Sequence, residues 1–442
     1  MQRKDFDVVV VGASLAGCTA ATLLARQGAR VALLERHART DAHKVMCTHY
    51  IQASALPVLQ RLGLTQAIEQ AGGVRNGIEL HTPAGWIGWR PGLDADGQPW
   101  HGYNVRRAVL DPLVRRLAAC TPGVTLLTGV AAQQVLTQRG QVVGVQAQQQ
   151  GMPVQFMARL VVAADGRGSD VATQAGIPVR RSPNVRHSVA VAMRGVGLRR
   201  GQLSQMWMTG PEVFYCFPND DGVTVLAWMA PKDAMGRLPR DEALSALRAR
   251  VAQLPDGPDL SLAMPDGACL MVKDHPNQWR PPVWQGMALV GDAAASLDYV
   301  HGIGCGWAMQ SAAWLADAIG TRVRDPASVS QGLGHYAQLH RQRLGRHRFF
   351  IHDFAQRLDF NAAERLVFAA GAHDPACAEV AMRVASRFNS PWAFLAPLQL
   401  ARALWAVARA PRGQPGDTRL PLVGAMPWPA SVTTPPAGDR AA

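Results

Sequence analysis

Gly12 and Gly17 bracket a six-residue turn, Gly12-Ala13-Ser14-Leu15-Ala16-Gly17, and a carboxylate, Glu35, follows eighteen positions after Gly17. Residues of these types at this spacing can hold an adenine dinucleotide. The first glycine permits a sharp turn, small Ser14 and Ala16 let a pyrophosphate approach backbone N–H groups, Gly17 allows helix and strand to pack closely, and the acid accepts hydrogen bonds from a ribose diol. Two later carboxylates stand after apolar runs: Asp165-Gly166 in RLVVAADGRGSDV (159–171), and Gly291-Asp292 closing MALVGD (287–292). A carboxylate at a strand end can bind a hydroxylated chain. The loop Gly302-Ile303-Gly304-Cys305-Gly306 then offers N–H groups at a helix start. Two imidazoles could move protons, His301 inside that loop and His49 in Cys47-Thr48-His49-Tyr50.

The elements needed to position these groups follow from the hydrophobic pattern. Residues 6–11 (FDVVVV) form a strand, a helical pattern runs to Gln27 and closes at Gly28, and a second strand covers 31–34. Ser169 can begin a helix toward Gly176, and a long helix is expected from about Trp307 to Ile319. Between the last two motifs lie alternating segments at 188–194, 205–208, 213–217 and 223–229, which predict a largely antiparallel sheet. An arginine-rich helix is expected over 336–348 and further helices with apolar faces over 376–409. From Pro411 the composition turns to Pro and small residues, as in a disordered tail.

A chain of 442 residues is long enough for two intertwined domains, and 48% hydrophobic against 17% charged residues describes a folded protein. The net charge of +13 rests almost entirely on arginine, since only Lys4, Lys44, Lys232 and Lys273 are lysines. The basic residues are scattered and form no recognisable nucleic-acid module, so no nucleic-acid partner is expected. An acidic carrier protein or an anionic membrane face fits the charge, the latter through the C-terminal helices as a peripheral contact. Seven cysteines without a C-x-x-C pair or metal-ligand spacing indicate a reduced cytoplasmic setting and no metal. Residues 8–25 are uncharged and contain Leu15-Ala16-Gly17-Cys18, as a lipoprotein signal would, but Asp5 and Asp7 precede the run and Gly12 splits it into strand and helix. No stretch approaches the length of a membrane span.

GASLAG with Glu35, Arg107-Ala108-Val109-Leu110-Asp111, AADGRGSDV and LVGDAAASLDYVHGIGCGWAMQSA occur in that order. With these four motifs the chain resembles the flavoprotein monooxygenase superfamily related to para-hydroxybenzoate hydroxylase, with its geranylgeranyl-reductase-like and flavin-halogenase-like branches, over residues 6–345. The resemblance implies an α/β fold: a Rossmann-type FAD-binding domain from the discontinuous segments 1–75, 100–180 and 275–345, an inserted antiparallel substrate sheet from 76–99 and 181–274, C-terminal helices over 346–410 and a tail over 411–442. It implies that Glu35, with adjacent Arg36, binds the adenosine ribose. Arg107 and Lys44 would approach the phosphates, Asp165 and Gly166 would belong to the dinucleotide contact, and Asp292 beside Gly291 would hold the ribityl chain. Gly302, Ile303, Gly304 and Cys305 would face the flavin. The chain departs from the hydroxylase pattern at Ala295, where a histidine is usual, and at Asp298-Tyr299, where a proline commonly stands.

The same resemblance makes Trp207, Phe214, Tyr215, Phe217 and Trp228 candidates for lining the substrate cavity, with half of such strand residues expected on the packing face. His301 and His49 are the candidate catalytic residues. The expected activity is an FAD-dependent monooxygenase that inserts one oxygen atom into an apolar or aromatic organic molecule. NADH or NADPH would bind transiently as donor, since no second glycine fingerprint is present, or a separate flavin reductase would supply the electrons. Reduction of a carbon–carbon double bond is the alternative, because GIGCGWAMQSA is closer to the reductase branch, and a non-enzymatic flavin-binding accessory protein is another. Halogenation is disfavoured: no lysine occurs from 45 to 231, and Gly85-Trp86-Ile87-Gly88-Trp89 breaks the halogenase tryptophan spacing.

Overall fold

Val8–Val11 is four consecutive buried valines, the composition of a strand covered on both faces. In the computed structural model, which describes residues 2–90, 92, 93, 97 and 99–421, it lies inside a six-stranded sheet. The order is Val283–Trp284, Met287–Leu289, Leu160–Ala163, Val8–Val11, Val31–Glu35, Val124–Thr128. All neighbours are parallel except the edge hairpin of Val283–Trp284 with Met287–Leu289. The chain leaves Val8–Val11 toward Val31–Glu35 on one side and later adds Leu160–Ala163 on the other. This is a topological switch point, where open α/β sheets bind ligands beyond the strands' carboxyl ends. Gly12, Glu35, Asp165 and Asp292 all stand at those ends.

Alternate valines serve the two faces. Val8 and Val10 join a core with Leu15, Leu23, Leu24, Leu110 and Met309, from the helices Leu15–Arg26, Arg107–Cys120 and Gly304–Ile319. Val9 and Val11 meet Val145, Ala147, Val154 and Phe156. Those four come from a layer not anticipated from sequence: the meander Val130–Gln138, Gln141–Gln149, Met152–Met157, extended in parallel by Gln2–Asp5.

The expected antiparallel sheet is present and larger than its four predicted strands. Arg186–Arg194, Thr224–Pro231, Val213–Pro218 and Ser204–Met208 pair antiparallel, and Ile78–Thr82 then joins Ser204–Met208 in parallel, followed by Gly85–Ile87. Two boundaries move. The division at 345/346 falls inside one continuous helix, Pro326–Ala355, because neither proline nor a cap interrupts it there. The expected tail begins with ordered chain: Gly416–Asp417 pairs with Gly85–Ile87, and the hydroxyl of buried Thr418 donates to Gly371 O at 2.9 Å. Residues 422–442 of that tail lie outside the described residues. Among the described residues no helix is long and apolar enough to cross a membrane.

Candidate active site

The carboxyl ends of the central strands open into one cavity of about 890 Å³. Gly12, Ser14, Ala16, Glu35, Arg36, Lys44, Arg107, Asp165, Gly166, Gly291, Asp292, Gly302, Ile303, Gly304 and Cys305 all line it. Gly17 does not; it packs beneath the turn, where a Cβ would stand 1.8 Å from Gly12 O. Gly12 has φ +102°, and its own Cβ would stand 2.6 Å from Ala164 O. Both glycines are therefore required by backbone contact, and they keep the cradle open for a ligand.

Two helix N-termini face this cavity. Leu15–Arg26 begins after Ser14 and Gly304–Ile319 begins after Ile303; neither start has a side-chain cap or an acid in its first turn. Their free N–H groups and positive ends suit a pyrophosphate at one and the electron-rich edge of a reduced ring at the other. Glu35 is buried; its Oε2 accepts from Ala13 N and its Oε1 from His37 N, both at 2.9 Å, which leaves lone pairs for a ribose diol. Arg107 is buried and donates to both oxygens of Asp111, at 2.6 and 2.9 Å, and to Ser14 Oγ at 2.7 Å, so its charge is aimed at the glycine turn. Arg115 donates to the carbonyls of Ala13, Thr40 and Ala42 and ties the same turn to the loop beyond Glu35. Lys44 reaches Asp292, and that carboxylate holds its ammonium above the ordinary lysine value. The uncapped helix starts, the Cβ-free cradle and this donor set fit FAD.

Asp165 is partly committed to structure. Ser169 donates to its Oδ1 at 2.6 Å and Val171 N to its Oδ2 at 3.1 Å, so it organises the start of the helix Asp170–Gln174, whose cap is Ser169. Burial raises its carboxyl above the usual range.

The substrate side differs from expectation. Ser188, Ala190, Ala227, Met229 and Val272 line the cavity. Strand parity sends the intervening residues the other way. Trp207, Phe214 and Trp228 pack on the opposite face with Leu247 and Val251 of the helix Ala243–Val251, so these three are corrected from cavity to core. Tyr215 lies across from Ala227, on the cavity-side face, and stacks on Phe217 at 4.6 Å, yet neither lines the cavity. The Tyr215 hydroxyl donates to the carbonyls of Tyr299 and Val300, so the pair supports the late loop from below.

Neither expected catalytic histidine lines the cavity. His49 adopts φ +63°, its N–H donates to Cys47 Sγ at 3.2 Å, and its Nδ1 accepts from Arg107 N at 3.1 Å. It fastens the loop to the start of the helix Arg107–Cys120. His301 is half-buried edge-on to Phe354, its carbonyl accepts from Arg387, and desolvation of the ring holds the imidazole far below its ordinary value. Three other histidines do line the cavity, His37 and His43 in the loop after Glu35 and, marked by no motif, His275. The Nε2 of His275 lies 3.2 Å from Arg167 Nη1 and its ring meets Tyr299 edge-on at 5.3 Å. Burial, then Arg167, pushes it down to about 4, so it is neutral at physiological pH. Asp298, fully buried on the cavity wall, is pushed up to about 6 by burial.

Comparison with known proteins agrees with this geometry. The family described as "FAD binding domain" matches residues 5–345. Digeranylgeranylglycerophospholipid reductase 1 of Methanothermobacter thermautotrophicus is 26% identical over 352 residues, 77% of this chain and 83% of that protein. Among solved structures, the flavin-dependent brominase Bmp2 superposes with a TM-score of 0.72 at 16% identity, covering 92% of this chain and 98% of that one. PqsL of Pseudomonas aeruginosa, solved with 2-aminobenzoylacetate, superposes with a TM-score of 0.61 at 19% identity, covering 87% and 100%.

Proposed function

Because the chain belongs to the FAD binding domain family, we propose that it is an FAD-dependent monooxygenase, inserting one atom of dioxygen into an apolar or aromatic organic substrate with NADH or NADPH as transient donor. FAD, when bound, supplies the two-electron redox chemistry and the reaction with dioxygen. The observation that carries the reading is the shared cavity: the dinucleotide motifs line one part, and small or apolar sheet residues, Ser188, Ala190, Ala227, Met229 and Val272, line another. That wall excludes water from the reacting atoms and can orient an apolar molecule without presenting a charge to it. Glu35, Arg107, Lys44 and Asp292 bind and orient the cofactor. His275 stays neutral, and Tyr299, held protonated by burial and then by Asp298, offers a hydroxyl rather than a base.

Oxygen uptake by the FAD-loaded protein, measured with NADH or NADPH and a panel of small aromatics and prenylated molecules, tests the proposal through a product heavier by one oxygen atom. A product heavier by two hydrogens, formed without oxygen uptake, would replace it with reduction of a carbon–carbon double bond. One feature favours that second reading: saturation requires a proton delivered to carbon, and Asp298 retains one up to about pH 6.

A further inference from the structure

Cys47 and Cys305 are 258 positions apart, and their sulfurs lie 3.6 Å from one another. The fold brings them together because the loop beyond Glu35 passes the N-terminus of Gly304–Ile319, in whose first turn Cys305 stands. Both side chains line the same cavity as Lys44, Asp292 and Ile303. Donors surround the pair: His49 N–H points to Cys47 Sγ at 3.2 Å, and Arg107 Nη1 lies 4.0 Å from Cys305 Sγ. Such surroundings favour thiolate, the reactive form of a cysteine. The sulfur–sulfur contact, followed by His49 and Arg107, draws the Cys47 thiol well below its ordinary value, while Cys305 retains the shared proton.

We propose that Cys47 and Cys305 are a dithiol–disulfide couple that exchanges an electron pair with the flavin bound in this cavity. In the oxidising direction the Cys305 S–H bond breaks and one S–S bond forms between its sulfur and the Cys47 thiolate. Two electrons and that one proton pass to oxidised isoalloxazine and give the anionic reduced flavin; the reverse step returns them to the sulfurs. Closing the contact from 3.6 Å to the about 2.05 Å of a disulfide needs a movement of about 1.5 Å, within reach of side-chain rotation and a small shift of the loop carrying Cys47. Cys18, Cys216 and Cys377 are buried elsewhere, Cys120 is exposed, and none of the other five cysteines is paired with a second sulfur.

The proposal rests on FAD occupying this cavity, and the test reads that separately. FAD-loaded protein is oxidised in air, denatured in iodoacetamide, digested and weighed. The peptides of Cys47 and Cys305 are expected linked to each other and unalkylated; after anaerobic reduction with dithionite both are expected alkylated, with the other five cysteines alkylated in both samples. Titration of the wild-type protein should consume twice the reducing equivalents per bound flavin that Cys305→Ser or Cys47→Ser consumes, one two-electron couple having been removed. Yellow protein whose Cys47 and Cys305 are freely alkylated after air oxidation, or a titration the serine variants leave unchanged, overturns the couple alone. Colourless protein overturns the flavin reading and the couple with it.

Discussion

Lys44 Nζ lies 3.0 Å from Asp292 Oδ2, joining the loop after Val31–Glu35 to the strand-end acid that precedes the late loop. The lysine is 50% exposed and the aspartate 23%, so the pair spans the cavity rim. An ion pair this open contributes only ~0–1 kcal/mol to folding; its importance lies in the charges it holds ready for a ligand.

Asp292→Ala should therefore leave the melting temperature of FAD-free protein nearly unchanged and remove FAD from the purified protein. A hydrogen bond to a charged group contributes ~1.5–3 kcal/mol, so affinity should fall about ten- to a hundredfold, at 1.4 kcal/mol per tenfold. Fluorescence titration with FAD checks this. Undiminished retention would remove the carboxylate from the site.

Gly12→Ala should cost at least ~2 kcal/mol, from the left-handed backbone and from a Cβ placed 2.6 Å from Ala164 O. Gly63 has a comparable φ of +77° at a helix end with nothing within 4 Å, so Gly63→Ala should cost only ~1 kcal/mol. Urea unfolding of the two variants gives the ordering; equal losses would contradict the close approach at the turn.

Ala227→Leu should fill the cavity while leaving FAD affinity intact, raising KM or abolishing turnover for bulky substrates. Trp228→Ala, one residue along and on the other face, should instead lower stability by ~3–5 kcal/mol without changing substrate preference. Steady-state kinetics paired with urea denaturation separate the two.

This contrast shows where sequence reading succeeds and fails. The cofactor half is readable because its demands are chemical and local: a glycine where a Cβ would strike Ala164, and an acid at a strand end. The substrate half is not. Alternation tells which residues share a face, but not which face meets the cavity, and bulky Trp207, Phe214 and Trp228 attract attention while Ser188, Ala190 and Ala227 carry no signal. His275 precedes a short strand, Asn277–Trp279, outside any motif. The meander was readable in principle, since Arg139-Gly140 and Gln150-Gly151 both adopt the positive φ of tight hairpin turns between alternating apolar residues.

Stability should fall as pH drops below about 6.5. Burial pushes His275 and His340 down to about 4 and His347 to about 3. Folded values below the ordinary 6.5 mean that the unfolded chain takes up protons first, so the stability these histidines confer is complete above pH ~6.5 and is lost toward pH 3–4. Asp298 acts oppositely: raised to about 6, it confers stability below pH ~4 that is lost as pH rises through 6. With His275, His301, His340 and His347 shifted down against Asp165 and Asp298 shifted up, the urea midpoint should decrease from pH 7 to pH 5, and His347→Gln should flatten the slope. A midpoint that rises over this interval would contradict the burial of these rings.

The most direct measurement is the visible absorbance of the purified protein after incubation with FAD and removal of unbound cofactor. Stoichiometric yellow protein, lost in Asp292→Ala and in Glu35→Ala while both variants stay folded, is the predicted result. Wild-type protein that folds and yet remains colourless would contradict the account at its root.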